Sequence, residues 1–442
     1  MHTKYTNREI WKVAYPILIS LLMEQLIGMT DTAFMGRVGE VELGASAIAG
    51  VYYLAIFMLG FGFSIGSQIL IARRNGEGNF RKIGSIFYQG IYFLLAMALV
   101  MFTLSQLFSP WILSHVVASP RVCEAAVSYI NWRVFGFFFS FVAIMFRAFF
   151  VGTTQTKTLT LNSIVMVTSN VVFNYILVFG KLGFPALGIA GAAIGSSLAE
   201  LVSMLFFIVY TVRQVDTKYG LNQLVKFRWA ELKRIMSVSL WTMIQNAVSI
   251  STWFLFFIFI EHLGERSLAI TNIVRNVSSV PFMTITAFAS TCSALVSNLL
   301  GAGEARYVMP TIRQHVRLCT YIVWPVILLI ACLPTYVLRI YTDMPDLVDA
   351  AVPTLWVLCS SYLFQCAGFI FFQSVSGTGD TRAAFLLEMI ALTCYLIFIV
   401  LIILLLKMDV AVCWFSEHVY AGAIGLLSYI YLKKGSWQRK RI

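Results

Sequence analysis

Gln68 to Arg81, QILIARRNGEGNFR, returns 225 residues further on as Ser293 to Arg306, SALVSNLLGAGEAR. Leu70 falls on Leu295, Gly76 on Gly301, Gly78 on Gly303 and Arg81 on Arg306. Without a gap, the same offset carries 16–82 onto 241–307, matching Gly39-Glu40 with Gly264-Glu265, Leu43 with Leu268 and Phe57-Met58 with Phe282-Met283. It reappears at Gly152-Thr153 and Gly377-Thr378. The chain therefore reads as two copies of one unit. A duplication in a very apolar chain points to a transporter whose site lies between two halves.

Of the 442 residues, 59% are hydrophobic and 12% charged, against roughly 25% charged in soluble domains. Apolar stretches long enough to cross a bilayer, about 20 residues each, run at 10–35, 44–72, 83–108, 122–150, 159–180, 187–212, 235–261, 267–299, 311–334, 350–376, 383–406 and 410–432. Helices satisfy their own backbone polar groups in lipid, and the short alternating segments of a barrel are not seen. The expected fold is an all-α membrane protein with twelve transmembrane helices in two six-helix lobes. An even number of spans per half gives both copies the same orientation, related by a pseudo-two-fold along the membrane normal. The N-lobe is expected at 1–212, a cytoplasmic linker at 213–234, the C-lobe at 235–432 and a basic cytoplasmic tail at 433–442. Met1 to Lys12 is polar and lacks the pattern of a cleavable signal.

A net charge of +12 invites a nucleic-acid reading, but the distribution opposes it. Lys and Arg collect in alternate loops and at both ends, whereas the opposite loops hold only Arg37, Arg121, Lys181, Arg266, Arg339 and Lys407. By the positive-inside rule both termini are cytoplasmic, with a bacterial plasma membrane as the expected location. Lys433-Lys434 and Arg439-Lys440-Arg441 read as a topology signal in contact with lipid headgroups. The eight cysteines and five histidines, His2 among them, are scattered without ligand spacing, so neither a cofactor nor a metal site is expected. The protein is expected to be a monomer.

Acidic residues inside spans carry the most information, because a carboxylate near the bilayer centre costs at least about 2.5–3.5 kcal/mol on insertion scales. Glu24 and Asp31 share the first span, seven residues apart, which is about 20° short of two full turns. Two stacked carboxyls would repel, as a proton-coupling site requires. On the fifth span Asn170 and Asn174 occupy one face at i and i+4. Amides donate to an ionised carboxylate and accept from a protonated one; equally, they could glue helices together. Glu200 and Glu417 also fall inside spans, lining a cavity or closing a helix contact. Pro16 interrupts the first span, where it bends the helix.

The stretch EQLIGMTDTAFMGRVGEVELGA, the QILIARRNGEGN turn and its repeat ALVSNLLGAGEA, the pair RAFFVGTTQTK and SVSGTGDTR, and NVVFNYILVFG followed by GFPALGIAGAAIG resemble the multidrug and toxic compound extrusion (MATE) family over nearly the whole chain. The resemblance implies a two-lobed, twelve-helix cation antiporter that exports organic compounds by alternating access, and not an enzyme. It places the first-helix aspartate on Asp31, the fifth-helix amides on Asn170 and Asn174, and the bending proline on Pro16. NorM-like members carry acids in helices seven and ten, at positions corresponding to Ser249 and Gln365, which are not acidic here. The chain therefore looks closer to the DinF-like branch, with coupling around Asp31. One carboxylate with amides favours H⁺ over Na⁺, since hard cations want several oxygen ligands. Small lipophilic, often cationic, substrates are expected in a cavity lined by Met166, Phe149, Phe173 and Trp253. A lipid-linked precursor flippase is the alternative, for which Arg133 and Arg275 are the basic residues read as deep in spans. An intramembrane enzyme would need a nucleophile and base or a metal pair, and no such spacing is present.

Overall fold

The computed structural model describes residues 3–439; His2 and the tail residues Lys440 and Arg441 lie outside them. A reciprocal capping box opens the first helix: the Thr6 hydroxyl accepts from the Glu9 amide at 3.2 Å, and the Glu9 carboxylate accepts from the Thr6 amide at 2.7 Å. From there α1 (Asn7–Val38) runs unbroken through Pro16. The first copy continues with α2 (Glu40–Gly76), α3 (Phe80–Val116), α4 (Pro120–Arg133), α5 (Gly136–Gly152), α6 (Lys157–Phe179) and α7 (Ile189–Gln214). The second comprises α8 (Trp229–Glu261), α9 (Glu265–Gly301), α10 (Val308–Cys332), α11 (Pro334–Arg339), α12 (Pro345–Gly377), α13 (Thr381–Ile399), α14 (Val410–Cys413) and α15 (Ser416–Lys434). Eleven helical stretches among the described residues are long and apolar enough to cross a membrane. The twelfth span is the pair α4 and α5, bent by 53° at their junction. This is an all-α, multi-pass membrane fold, and apolar side chains such as Leu107, Leu328 and Ile397 stand exposed for lipid.

The repeat is legible in the backbone. Helices α2 and α9 are both 37 residues long and begin and end at positions 225 apart. Each is followed by a glycine in the left-handed region, Gly78 at φ 72° and Gly303 at φ 75°, where a side chain would be strained. Helices α5 and α12 end at the equivalent Gly152 and Gly377. A Cβ on Gly152 would lie 3.0 Å from the Gln68 carbonyl oxygen, and one on Gly377 would lie 2.6 Å from that of Ser293. Gln68 and Ser293 are themselves repeat partners, so the same glycine-mediated approach is built twice.

Packing divides the chain into two compact units, one of Met1–Leu18 with Ile244–Ile442, the other of Ile19–Met243. The expected lobe boundary lay in the polar stretch 213–234, whereas this division falls within α1 and α8, at positions 225 apart. In the second of these units, Gly62 and Gly66 of α2 form a GxxxG face for the start of α8. A Cβ on Gly62 would lie 2.6 Å from Met243 Cα, one on Gly66 2.5 Å from Ser239 Cα, and the Thr242 hydroxyl donates to the Gly62 carbonyl at 2.7 Å. In the other unit the start of α1 packs on α9, with Trp11 and Phe288 at 6.1 Å. The stretch 213–234 is strapped to α3: the Gln89 side chain donates to the Lys226 carbonyl at 2.9 Å and accepts from the Arg228 amide at 3.0 Å, and the Tyr92 hydroxyl donates to the Val225 carbonyl at 2.6 Å.

Candidate functional site

Helix α7 opens IAGAAIG, and its small residues let α6 approach closely. A Cβ on Gly191 would lie 2.5 Å from the Leu177 carbonyl oxygen, and one on Gly195 would collide with the Asn174 amide oxygen. This approach sets Asn170, Asn174 and Ser196 side by side, opposite Asp31 of α1. Asn174 Nδ2 donates to Asp31 Oδ1 at 2.6 Å and to Asn170 Oδ1 at 3.3 Å. Ser196 Oγ donates to Asp31 Oδ2 at 3.4 Å and accepts from Asn170 Nδ2 at 3.2 Å. Both asparagines are buried, and Asn174 Oδ1 has no hydrogen-bond partner among the described residues. Each carboxylate oxygen thus meets one side-chain donor, an amide on one side and a hydroxyl on the other.

An ion pair adjoins this network. Arg133, the last residue of α4, donates through Nη1 to Glu200 Oε2 at 2.9 Å and through Nη2 to Oε1 at 2.7 Å. The Tyr53 hydroxyl reaches both carboxylate oxygens at 3.1 Å, and the guanidinium carbon lies 3.7 Å over the Tyr53 ring. Arg133 is also within electrostatic reach of Asp31. A Cβ on Gly136 would collide with this pair, so the glycine that opens α5 leaves the space that the pair occupies. Glu200 thus closes a helix contact, and Arg133 has its counter-ion.

The remaining expected residues scatter. Glu24 does not stack with Asp31 against another acid; it turns to Arg147 of α5 at 3.4 Å, with its side chain 53% exposed. Arg147 also donates to Ser20 Oγ at 3.4 Å. Pro16 is buried within continuous α1. Met166 and Phe173 are half-buried on α6, whereas Phe149 is fully enclosed, edge to face with Tyr219 at 5.3 Å and Phe87 at 6.3 Å. Trp253 is half-buried on α8. Glu417 lies within electrostatic reach of Tyr362, Tyr395 and Tyr420.

One carboxylate was not singled out from the sequence. Glu388 of α13 is buried, its Oε1 accepting from Ser249 Oγ at 2.5 Å and from the Tyr420 hydroxyl at 3.0 Å, while Oε2 has no partner among the described residues. An acid in the middle of FLLEMIAL was signal enough. Ser249 and Glu388 are the repeat partners of Glu24 and Ser163, so the acid and the serine have exchanged helices between the copies.

Two copies of a six-span unit, with an intramembrane carboxylate held by an amide and a hydroxyl, are the architecture of a secondary transporter. The MatE family profile matches residues 16–176 and 242–404, and the chain belongs to that family. It is 22% identical over 442 residues to a probable multidrug resistance protein NorM of Thermotoga maritima, covering 99% of this chain and 94% of that one. A probable NorM of Synechocystis is 31% identical over 206 residues, 46% of this chain and 44% of the other. In fold it is similar to a mutant of the Vibrio cholerae MATE transporter VcmN, with a TM-score of 0.84 at 16% identity over 98% of both chains. The sequence relatives correct the expected DinF-like branch, since they point to NorM. The absence of acids at Ser249 and Gln365 misled because the second copy carries its carboxylate on the neighbouring helix, at Glu388 against Ser249.

Proposed function

We propose that this protein is a proton-coupled antiporter that exports small lipophilic, often cationic, organic compounds by alternating access. The observation that carries the reading is the Asn174 amide, whose nitrogen binds Asp31 while its oxygen stays without a partner. When Asp31 takes up a proton it becomes a donor, and rotation of that amide presents the acceptor it then needs. The change of partners passes to Ser196 and Asn170, and along α1 to Pro16, where the ladder already lacks one hydrogen bond. Half-buried Met166 and Phe173, on the same helix as the amides, supply apolar and aromatic surface for flat cations.

Sodium is the second reading, since Asp31, Asn170, Asn174 and Ser196 together bring several oxygens to one place. The flippase reading weakens because Glu200 neutralises Arg133. The basic ends and alternate loops favour cytoplasmic termini and a bacterial plasma membrane.

The test is ethidium efflux from vesicles holding purified protein, driven separately by a pH gradient and by a sodium gradient, for wild type and Asp31→Asn. Transport driven by pH alone and lost in the variant supports the proposal. Transport that needs sodium, or that survives in Asp31→Asn, sinks it.

A further inference from the structure

Trp253 and Arg275 stand, at the repeat offset, where the first copy has Gly28 and Gly50, and Phe256 stands where it has Asp31. A Cβ on either glycine would meet nothing within 4 Å, so the first copy leaves open the two positions that the second fills with an indole and a guanidinium. The Arg275 guanidinium carbon lies 5.6 Å from the Trp253 ring centroid and 5.2 Å from that of Phe257, and the two rings meet edge to face at 4.7 Å. Arg275 sits ten residues inside the start of α9 at Glu265, about 15 Å along the helix axis. Among the described residues, its side chain has no carboxylate partner and donates no hydrogen bond; its contacts are the two aromatic rings, while Ser278 Oγ donates to its backbone carbonyl.

A charged side chain within an apolar span is costly and is ordinarily paired or functional. Aromatic faces offset part of that cost through the ring quadrupole, but they leave the in-plane N–H donors unused. Those donors form a fork that matches a carboxylate. We propose that Arg275, Trp253 and Phe257 form an anion subsite that binds the carboxylate of an aromatic substrate, with the substrate's ring packed beside the two side-chain rings. A single guanidinium matches a monovalent carboxylate, whereas a pyrophosphate carries more charge than it can balance. This rests on the exporter reading and adds to it a place in the second copy for one chemical feature, a carboxylate carried on an aromatic ring.

Rhodamine 110, which bears a free carboxylate, and rhodamine 123, its methyl ester, separate the two ideas. Binding of each dye to detergent-purified full-length protein is followed by fluorescence anisotropy for wild type, Arg275→Gln and Arg275→Lys, with thermal unfolding recorded alongside. The expected result is that Arg275→Gln weakens rhodamine 110 by at least about tenfold, about 1.4 kcal/mol, and leaves rhodamine 123 within about twofold. Arg275→Lys falls between, since a point charge replaces the fork. In wild type alone, 2-naphthoate displaces rhodamine 110 and the neutral 2-naphthamide does not, a readout that stands even if the glutamine variant fails to fold. Equal competition by the amide, or loss of both dyes in a folded variant, overturns the subsite. Wild-type binding of rhodamine 123 without rhodamine 110 overturns it and leaves the exporter standing; binding of neither dye overturns both.

Discussion

Asn174 holds Asp31 through its amide nitrogen at 2.6 Å while Gly195, across the α6–α7 contact, leaves the amide oxygen room but no partner. The glycine is thus part of how the carboxylate is read, although it touches no substrate. Gly195→Ala drives a methyl into that oxygen. Overpacking costs about 1–3 kcal/mol, and the displaced amide loses its hold on Asp31. The expected outcome is a lower unfolding temperature with ethidium efflux reduced at least about tenfold. Wild-type efflux in this variant would show that the amide oxygen needs no free space.

Glu200 is buried, the Arg133 side chain is 12% exposed, and the two are paired through two hydrogen bonds. Removing one partner strands the other, at about 3–5 kcal/mol, while an apolar pair of similar volume is far milder. Glu200→Leu and Arg133→Met should therefore each unfold at markedly lower temperature than the double variant. A double variant no more stable than either single one would deny the pair its structural role.

Glu388 accepts two hydrogen bonds through one oxygen, and Glu388→Gln keeps that acceptor. With coupling at Asp31, the variant should export ethidium under a pH gradient within about twofold of wild type, whereas Asp31→Asn should not. Loss of pH-driven export in a fully folded Glu388→Gln would move coupling to the second copy of the repeat.

Gln89 ties the polar stretch after α7 to α3 through both ends of its amide. Gln89→Ala leaves the Lys226 carbonyl and the Arg228 amide to find other partners, at about 1–3 kcal/mol if they stay buried. Limited proteolysis should cut faster within 215–228 while efflux is unchanged. An unaltered cleavage rate would mean that Tyr88 and Tyr92, which also donate to this stretch, hold it alone.

The repeat could be read in the sequence because the glycines that follow α2 and α9, Gly78 and Gly303, sit where the backbone turns left-handed, and hydropathy marked the spans between them. Asp31 and its two amides were legible for a related reason: polar groups in spans are few. The bend between α4 and α5 was hidden, since 122–150 reads as one span with no proline to mark a break, and the Arg133–Glu200 pair found at the junction joins residues far apart in sequence. Glu24 illustrates the same limit. Helical spacing put it above Asp31, but its partner Arg147 comes from another helix, and nothing local predicts that meeting. Phe149 looked like a cavity residue by type alone; its enclosure by Phe87 and Tyr219 depends on how three separate segments pack.

The exchange of helix starts between α1 and α8 bears on how the protein is made. Translation delivers the first copy long before the second, yet the Gly62–Gly66 face of α2 is filled only by residues 239–243. The earliest helices must wait in the bilayer with that seam open until α8 emerges. Conversely, the segment through Leu18, synthesised first, is needed by the copy that is finished last. Each copy thus borrows a helix start from the other, and the packing of both closes on the same late event, the insertion of the eighth helix.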